Sequence, residues 1–196
     1  MGRPIASRDD RGFTTVFVAL LLLAILFVMA YLIDVTGILL RKQELQTMAE
    51  LGSAAGGRVV TEKIAELADE RVRRGEILPP AEGDADAREH PERFLTPEDR
   101  TLLQTDPSII DSVKSVALDI AGRNRPKAIS ESAAIMTTTY PLKLNDCADA
   151  SKKTVDIKVV VEYDRPFILG KLAAEAGKGD TMKIKEEGLY RVNLCP

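Results

Sequence analysis

The longest apolar stretch of the chain runs from Phe13 to Ile33 and contains 21 residues without a charge (FTTVFVALLLLAILFVMAYLI). A helix rises about 1.5 Å per residue, so this stretch would be about 31 Å long, close to the thickness of a bilayer's hydrocarbon core. A helix satisfies its own backbone hydrogen bonds, as a segment surrounded by lipid must. The pattern therefore predicts a transmembrane helix at residues 13–33, after a polar leader at residues 1–12.

Two other interpretations of this stretch stay open. A secretory signal peptide also has a basic start, although its apolar region is usually about 7–15 residues long. Val28-Met29-Ala30 resembles the small-residue site at which such a peptide is cut. A buried core helix is the other alternative, although uninterrupted apolar stretches of this length are rare in soluble folds.

A helical period continues beyond the span without a proline, which predicts an amphipathic extension at residues 34–74. Its apolar positions are Leu40, Leu45, Met48, Leu51, Ala55, Val59, Ile64, Leu67 and Val72. Small residues crowd positions 49–57, and Gly52 and Gly56 are four apart, a spacing that lets another backbone approach. This run is either a groove for helix–helix packing, or a helix break or close contact with the chain's own sheet.

The next segment, residues 75–95, is rich in proline and acids and is predicted to be an exposed connection. Its acids Glu82, Asp84 and Asp86 lack the ligand spacing of a calcium-binding EF-hand loop. His90 is the only histidine of the chain, and no cysteine lies near it. We therefore predict no metal or catalytic role for this segment.

The remaining sequence predicts two short helices and three strands. Helix starts are indicated by Thr96-Pro97 and Asp106-Pro107, and Gly122 is predicted to end the second helix. Strands are predicted at residues 133–144, 154–167 and 181–194, and a helical turn at residues 169–176. The middle strand alternates most clearly between apolar and mostly polar positions, which is typical of a half-buried antiparallel strand. The expected fold is α+β, with the long helix laid across a small antiparallel sheet.

Composition excludes several classes of function. The net charge is −3 and no basic stripe is interleaved with aromatic residues, so we expect no nucleic-acid binding. The chain contains no nucleophile motif, no phosphate-binding loop and no metal-spaced cysteine–histidine cluster. We therefore predict no enzymatic activity, no cofactor and no small-molecule substrate.

Topology and cysteine chemistry are linked predictions. Three arginines precede the span and the nearest basic residues after it are Arg41 and Lys42, so the positive-inside rule favours a cytoplasmic N-terminus. The bulk of the chain, including Cys147 and Cys195, then lies outside the cytoplasm. In an oxidising compartment an isolated pair of cysteines usually forms a disulfide. Two reduced, buried thiols remain the alternative.

Several N-terminal features resemble those of type IV pilin-like proteins, and more closely the TadE/TadG-like minor pilins and pseudopilins of tight-adherence (Flp) pilus systems. The residues that carry the resemblance are Arg11-Gly12, Phe13, the span, the exit segment Ile33-Asp34-Val35-Thr36-Gly37, Arg41, Glu44-Leu45-Gln46 and Ala49. A later segment, Tyr163-Asp164-Arg165-Pro166-Phe167, also resembles that family's sheet region.

The resemblance implies a single-pass protein of the bacterial inner membrane, with a periplasmic domain and with the lipid bilayer and other pilin-like or pilus-assembly proteins as partners. It also implies a possible cut between Gly12 and Phe13. Pilins carry a glutamate at the fifth mature position, whereas this chain has Phe17 there. Because Phe17 cannot pair with a neighbour's new amino terminus, we favour an uncut, membrane-anchored platform. The metal-binding von Willebrand-type domain of many TadG-like proteins has no counterpart in the motifs of this sequence.

The functional expectation is a structural component of a Tad (Flp) or type IV-like pilus or secretion machine. Alternatives are a membrane-tethered extracytoplasmic sensor or ligand-binding domain on a helical stalk, and a secreted domain released by signal peptidase. The expected organisation is a cytoplasmic leader (1–12), a transmembrane helix (13–33), a helix extension (34–74), an acidic loop (75–95) and a periplasmic α+β domain (96–196) packed with the extension.

Overall fold

The computed structural model describes residues 10–76, 90–130, 133–141, 147, 153–166 and 181–195. Its elements are helix α1 (Asp10–Arg73), a 3₁₀ helix (Pro91–Phe94), helices α2 (Pro97–Thr105) and α3 (Pro107–Arg123), and strands β1 (Ala134–Thr139), β2 (Thr154–Pro166) and β3 (Thr181–Asn193). The α+β fold class is confirmed. The predicted helical turn at residues 169–176 lies outside the described residues, as do residues 77–89 of the connection predicted at 75–95.

Helix α1 contains 64 residues and is not broken by the glycines at positions 52, 56 and 57. It ends in a hydrogen-bonded turn in which Gly75 N donates to Val72 O and Glu76 N donates to Arg71 O, at 3.1 Å each. Gly75 has a φ of +71°, a conformation that glycine adopts without steric cost. This arrangement is the Schellman motif that commonly ends helices.

The starts of α2 and α3 follow their predicted caps. Asp99 N donates to Thr96 Oγ1 (3.3 Å) and Thr96 N donates to Asp99 Oδ2 (2.9 Å), which completes a capping box. Asp106 Oδ1 accepts a hydrogen bond from Ser108 N at 2.7 Å and caps α3.

The predicted end of α3 at Gly122 is wrong. The helix continues to Arg123, and the C-cap is Asn124, whose φ is −89°. Asn124 Nδ2 donates to Ile120 O at 2.8 Å, so a side chain satisfies a terminal carbonyl without any residue in the left-handed region. Sequence analysis also missed the 3₁₀ helix before α2.

The strands form one sheet in the order β1-β2-β3. Strand β1 is antiparallel to β2, from Ala134 opposite Tyr163 to Thr139 opposite Lys158. Ion pairs show that β3 is antiparallel to β2 as well, because Lys183 lies against Glu162 whereas Arg191 lies against Asp156. On β2 the apolar side chains at positions 155, 157, 159 and 161 are fully buried, as predicted, whereas Asp156, predicted on the polar face, is also buried, at 3% exposed.

The main hydrophobic core lies between the helices and the inner face of this sheet. It is formed by Val60, Ile64, Leu95, Leu103, Ile109, Val113, Tyr140, Val155, Ile157, Val192 and Leu194. Burial of each large aliphatic side chain contributes roughly 1.5–3 kcal/mol. The exposed faces of the same helices carry most of their charged residues, with Asp34 of α1 and Asp99 of α2 as buried exceptions, so the amphipathic pattern of the sequence selects the packed face.

The chain forms two compact units. One consists of Met1–Leu40 and Arg165–Met182, and the other of Arg41–Asp164 and Lys183–Pro196. The first contains the apolar part of α1. The second contains the core described above, α2, α3 and most of the sheet. The domain ranges proposed from the sequence stay a prediction.

Candidate functional site

The apolar part of α1 is the most exposed hydrophobic surface of the described residues. An 18-residue window has a mean hydropathy of 3.1 and no part of it is buried by the protein. Leu20 is 62% exposed and Leu26 is 69% exposed. By length and composition this helix can cross a membrane. A surface of this kind is favourable in lipid and unfavourable in water, so it is suited to anchoring one end of the chain in a bilayer.

The exit segment of α1 contacts the end of β2. Asp34 is only 5% exposed, and Arg165 Nη1 donates to its carbonyl oxygen at 3.5 Å. A Cβ at Gly37 would collide with the Arg165 guanidinium. The exit segment and the end of β2 therefore meet through Gly37 and Arg165. The missing side chain of the glycine leaves the space in which the guanidinium lies.

The predicted packing residues Gly52 and Gly56 lie on a buried face of α1. A Cβ at Gly52 would be 2.7 Å from Ala117 O and 2.9 Å from Ala121 Cβ, both on α3. A Cβ at Gly56 would be 3.1 Å from Ile157 on β2. The chain's own helix and sheet therefore occupy the groove that the small residues create.

A second close contact of α1, which sequence analysis missed, involves β3. A Cβ at Gly188 would collide with the backbone of Ala49, and a Cβ at Gly57 would collide with the ring of Tyr190. A glycine inside a strand pattern often marks such a backbone approach, and this was the available signal for Gly188.

A polar cluster joins the end of α1 to the start of α2. Arg71 Nε lies 2.7 Å from Asp99 Oδ2, and Arg71 Nη2 donates to Thr96 Oγ1 at 2.8 Å. Burial of the Asp99 carboxyl raises its pKa, but the hydrogen bonds from Arg71 and Thr96 outweigh this effect, and the pKa is lowered overall. The same hydrogen bond to Asp99 raises the pKa of Arg71. Both shifts favour the charged forms that these two groups already have near neutral pH.

The outer face of the sheet carries a ladder of paired charges. Glu162 contacts Lys183 at 2.7 Å and Lys185 at 3.4 Å, and Lys158 pairs with Glu187. Hydrogen bonds from these lysines lower the pKa values of both glutamates. Opposite charges on adjacent strands support the pairing of β2 with β3.

The two cysteines lie at disulfide distance, with their Cα atoms 5.7 Å apart, and Cys195 is 1% exposed.

His90 Nδ1 lies 2.9 Å from Glu92 Oε1. Within the described ranges no group of three or more histidine, cysteine, aspartate or glutamate side chains could hold a metal ion. Gly12 and Phe13, the candidate processing residues, belong to α1.

The exposed face of the α1 extension contains an uncharged stripe formed by Gln43, Thr47, Leu51 and Ala54. These residues are three or four apart and lie on one side of the helix. Leu51 is 42% exposed, and the Thr47 hydroxyl donates to Gln43 O at 3.0 Å, so its hydrogen bond is satisfied within the helix. This uncharged stripe lies away from the buried Gly52–Gly56 face, and among the described residues Gln43, Thr47 and Leu51 are exposed and Ala54 is half-buried.

Comparison with known proteins gives one match. Residues 12–59 match a family model described as putative Flp pilus-assembly TadE/G-like. No curated protein and no solved structure matches the chain. The matched range contains the candidate processing residues, the apolar span, the exit segment, and both Gly52 and Gly56. The resemblance of the N-terminal sequence is therefore confirmed: residues 12–59 are similar to the TadE/G-like family of Flp pilus-assembly proteins.

Proposed function

We propose that this protein is a non-enzymatic, membrane-anchored component of a Tad (Flp) pilus or a related secretion machine. The observation that carries the proposal is the coincidence of the family match at residues 12–59 with a helix that exposes an apolar surface of membrane-spanning length. The proposed location is the bacterial inner membrane, with the N-terminus in the cytoplasm and the α+β part in the periplasm.

The proposed mechanism is assembly through helix packing. In the bilayer, the apolar part of α1 packs against the helices of other pilin-like proteins by close van der Waals contact. Outside the bilayer, the buried Gly52–Gly56 face is already occupied by α3 and β2. A partner helix therefore contacts the uncharged stripe of Gln43, Thr47, Leu51 and Ala54 instead. The sheet unit presents a further surface to other components.

A matched pair of substitutions tests this mechanism. Leu51 on the stripe is 42% exposed and Leu102 on α2 is 41% exposed, so Leu51→Glu and Leu102→Glu place the same charge at equally accessible sites. Co-purification of the full-length protein with pilin-like partners from native membranes should fall at least tenfold for Leu51→Glu and remain unchanged for Leu102→Glu. Equal retention of partners by both variants would argue against the stripe as a contact surface.

The leader is proposed to remain attached. A cut after Gly12 would expose a new amine, which pilins pair with an acid at the fifth mature position, where this chain has Phe17. A charge buried in an apolar assembly without a partner is costly, so the cut would have no stabilising role here. Intact mass spectrometry of the membrane-extracted protein should show residues 8–12 retained, and a start at Phe13 would refute this part of the proposal.

The orientation is tested by cysteine accessibility. A single cysteine introduced at Thr101, an exposed position of α2, should react with a membrane-impermeant maleimide in intact spheroplasts. Labelling only after membrane disruption would place α2 in the cytoplasm and would contradict the periplasmic location.

A further inference from the structure

A cleft of about 250 Å³ lies at the end of β3. Four consecutive residues of this strand, 190–193, line one wall. The other walls are formed by Thr61 and Ile64 of α1 and by residues 90–92 at the start of the 3₁₀ helix. The cleft is separate from the uncharged stripe on α1 and has no role in the proposed helix packing.

The lining pattern places this cleft along the edge of β3. Successive side chains of a strand point to opposite faces of the sheet, so a cleft over one face is lined mainly by alternate residues. Here four successive residues line it. In the described residues the sheet has the order β1-β2-β3, and β3 pairs with β2 along its other edge. The cleft is therefore adjacent to the strand edge whose backbone N–H and C=O groups have no partner strand in the described sheet.

The chemistry of the cleft differs from floor to rim. Ile64 and Val192 are 2% and 7% exposed and provide an apolar floor. At the rim, the Arg191 side chain is 61% exposed, and its Nε lies 3.5 Å from Asp156 Oδ1. Asn193 Oδ1 accepts a hydrogen bond from Cys195 N at 3.2 Å. Glu92 is paired with His90.

We propose that this cleft binds an extended segment of a partner polypeptide as an added strand on β3. Backbone hydrogen bonds at a strand edge give affinity in this mode, and pockets for alternate side chains give specificity. Four residues of β3 span about 13 Å, which sets the length of the bound segment at three to five residues. One side chain of the segment is apolar and lies over Ile64 and Val192, and the next is acidic and lies beside Arg191.

The probe for this proposal is the blocked peptide Ac-Thr-Val-Glu-Val-Thr-NH₂, titrated into the isotopically labelled full chain in detergent micelles. We expect saturable NMR shifts of the backbone amides of residues 190–193 and of the Ile64 methyl groups. Replacing the glutamate of the peptide by lysine should weaken binding several-fold. A peptide with N-methylated backbone amides keeps the side chains but cannot donate hydrogen bonds, and it should bind at least tenfold more weakly.

A matched pair of protein variants provides a second test of the proposal. Thr61 and Thr101 are both exposed helical threonines whose hydroxyls donate to the carbonyl four residues earlier. Thr61→Trp should fill the cleft and abolish the shifts, whereas Thr101→Trp should bind the peptide like the wild type. The proposal is overturned if residues 190–193 of the wild type show no shifts at millimolar peptide. This is the result expected if another part of the chain fills the cleft. Equal binding of the N-methylated peptide would also overturn it, and this peptide comparison holds whether or not Thr61→Trp folds.

Discussion

Replacement of Gly52 by alanine tests whether α1 is packed against α3 as closely as the structure indicates. The new Cβ would be 2.7 Å from Ala117 O and 2.9 Å from Ala121 Cβ. Optimal carbon contacts are about 3.5–4.0 Å, so both distances are strongly repulsive. One of the two atoms belongs to the α3 backbone, and rotation of a side chain cannot relieve that contact. The two helices would have to move apart.

The expected change in the free energy of unfolding of Gly52→Ala follows from two opposing effects. Overpacking a close-packed interior costs about 1–3 kcal/mol. Alanine in place of glycine inside a helix gains about 1 kcal/mol. We therefore expect Gly52→Ala to lower the free energy of unfolding by about 0–2 kcal/mol.

Gly122→Ala is the matched control, because it is also a glycine-to-alanine change inside a helix. Its Cβ would have only Met136 Cε within 4 Å, at 3.6 Å, which is an ordinary contact. We expect it to stabilise the protein by about 1 kcal/mol. Gly56→Ala, whose nearest contacts are side-chain carbons at 3.1–3.3 Å, should fall between the two.

The assay is urea unfolding of the full chain in detergent micelles, followed by circular dichroism at 222 nm. With a denaturant slope of about 2 kcal/mol per molar, the midpoints of Gly52→Ala and Gly122→Ala should differ by roughly 1 M. If Gly52→Ala stabilises the protein as much as Gly122→Ala does, α1 and α3 are not in close contact at this position and the packing argument is refuted.

Three further predictions concern polar groups and the cysteines. The pKa of Asp99 is lowered on folding. The contribution of this carboxyl to stability is therefore present above its unfolded pKa and is lost as the pH falls through its folded pKa. Asp99→Asn should reduce the loss of thermal stability between pH 5 and pH 2. Burial raises the pKa of Tyr140 to about 12, so the stability that this residue contributes is complete below pH 10 and declines as the pH approaches 12. Tyr140→Phe should lose about 1 kcal/mol at neutral pH, because its hydroxyl donates to Leu103 O, and should show a smaller alkaline decline in pH-dependent unfolding. A bond between Cys147 and Cys195, which are 48 positions apart, should contribute up to roughly 4 kcal/mol to the free energy of unfolding. The measurement is the change in the urea midpoint when the protein is reduced. Two free thiols in the mass of periplasm-derived protein would contradict this prediction.

The local elements of this protein could be predicted from its sequence because each depends on residues close together in the chain. The uncharged run in α1 and the alternation in β2 reflect helix and strand periods, and the structure contains both. Thr96 and Asp106 predict helix starts because a capping side chain acts within three residues. The prediction for Gly122 was wrong because Asn124, two residues later, satisfies the helix end with its side chain.

Only the tertiary structure decided what the small residues of α1 contact. Spacing shows that Gly52 and Gly56 share a face, but it is compatible with either a partner helix or the chain's own elements. The structure places α3 and β2 there, at sequence separations that no local period encodes. The same holds for Arg165 against Gly37 and for Arg71 with Asp99. Periodicity determines which face of an element is buried, whereas the neighbour that covers it depends on the packing of the whole chain.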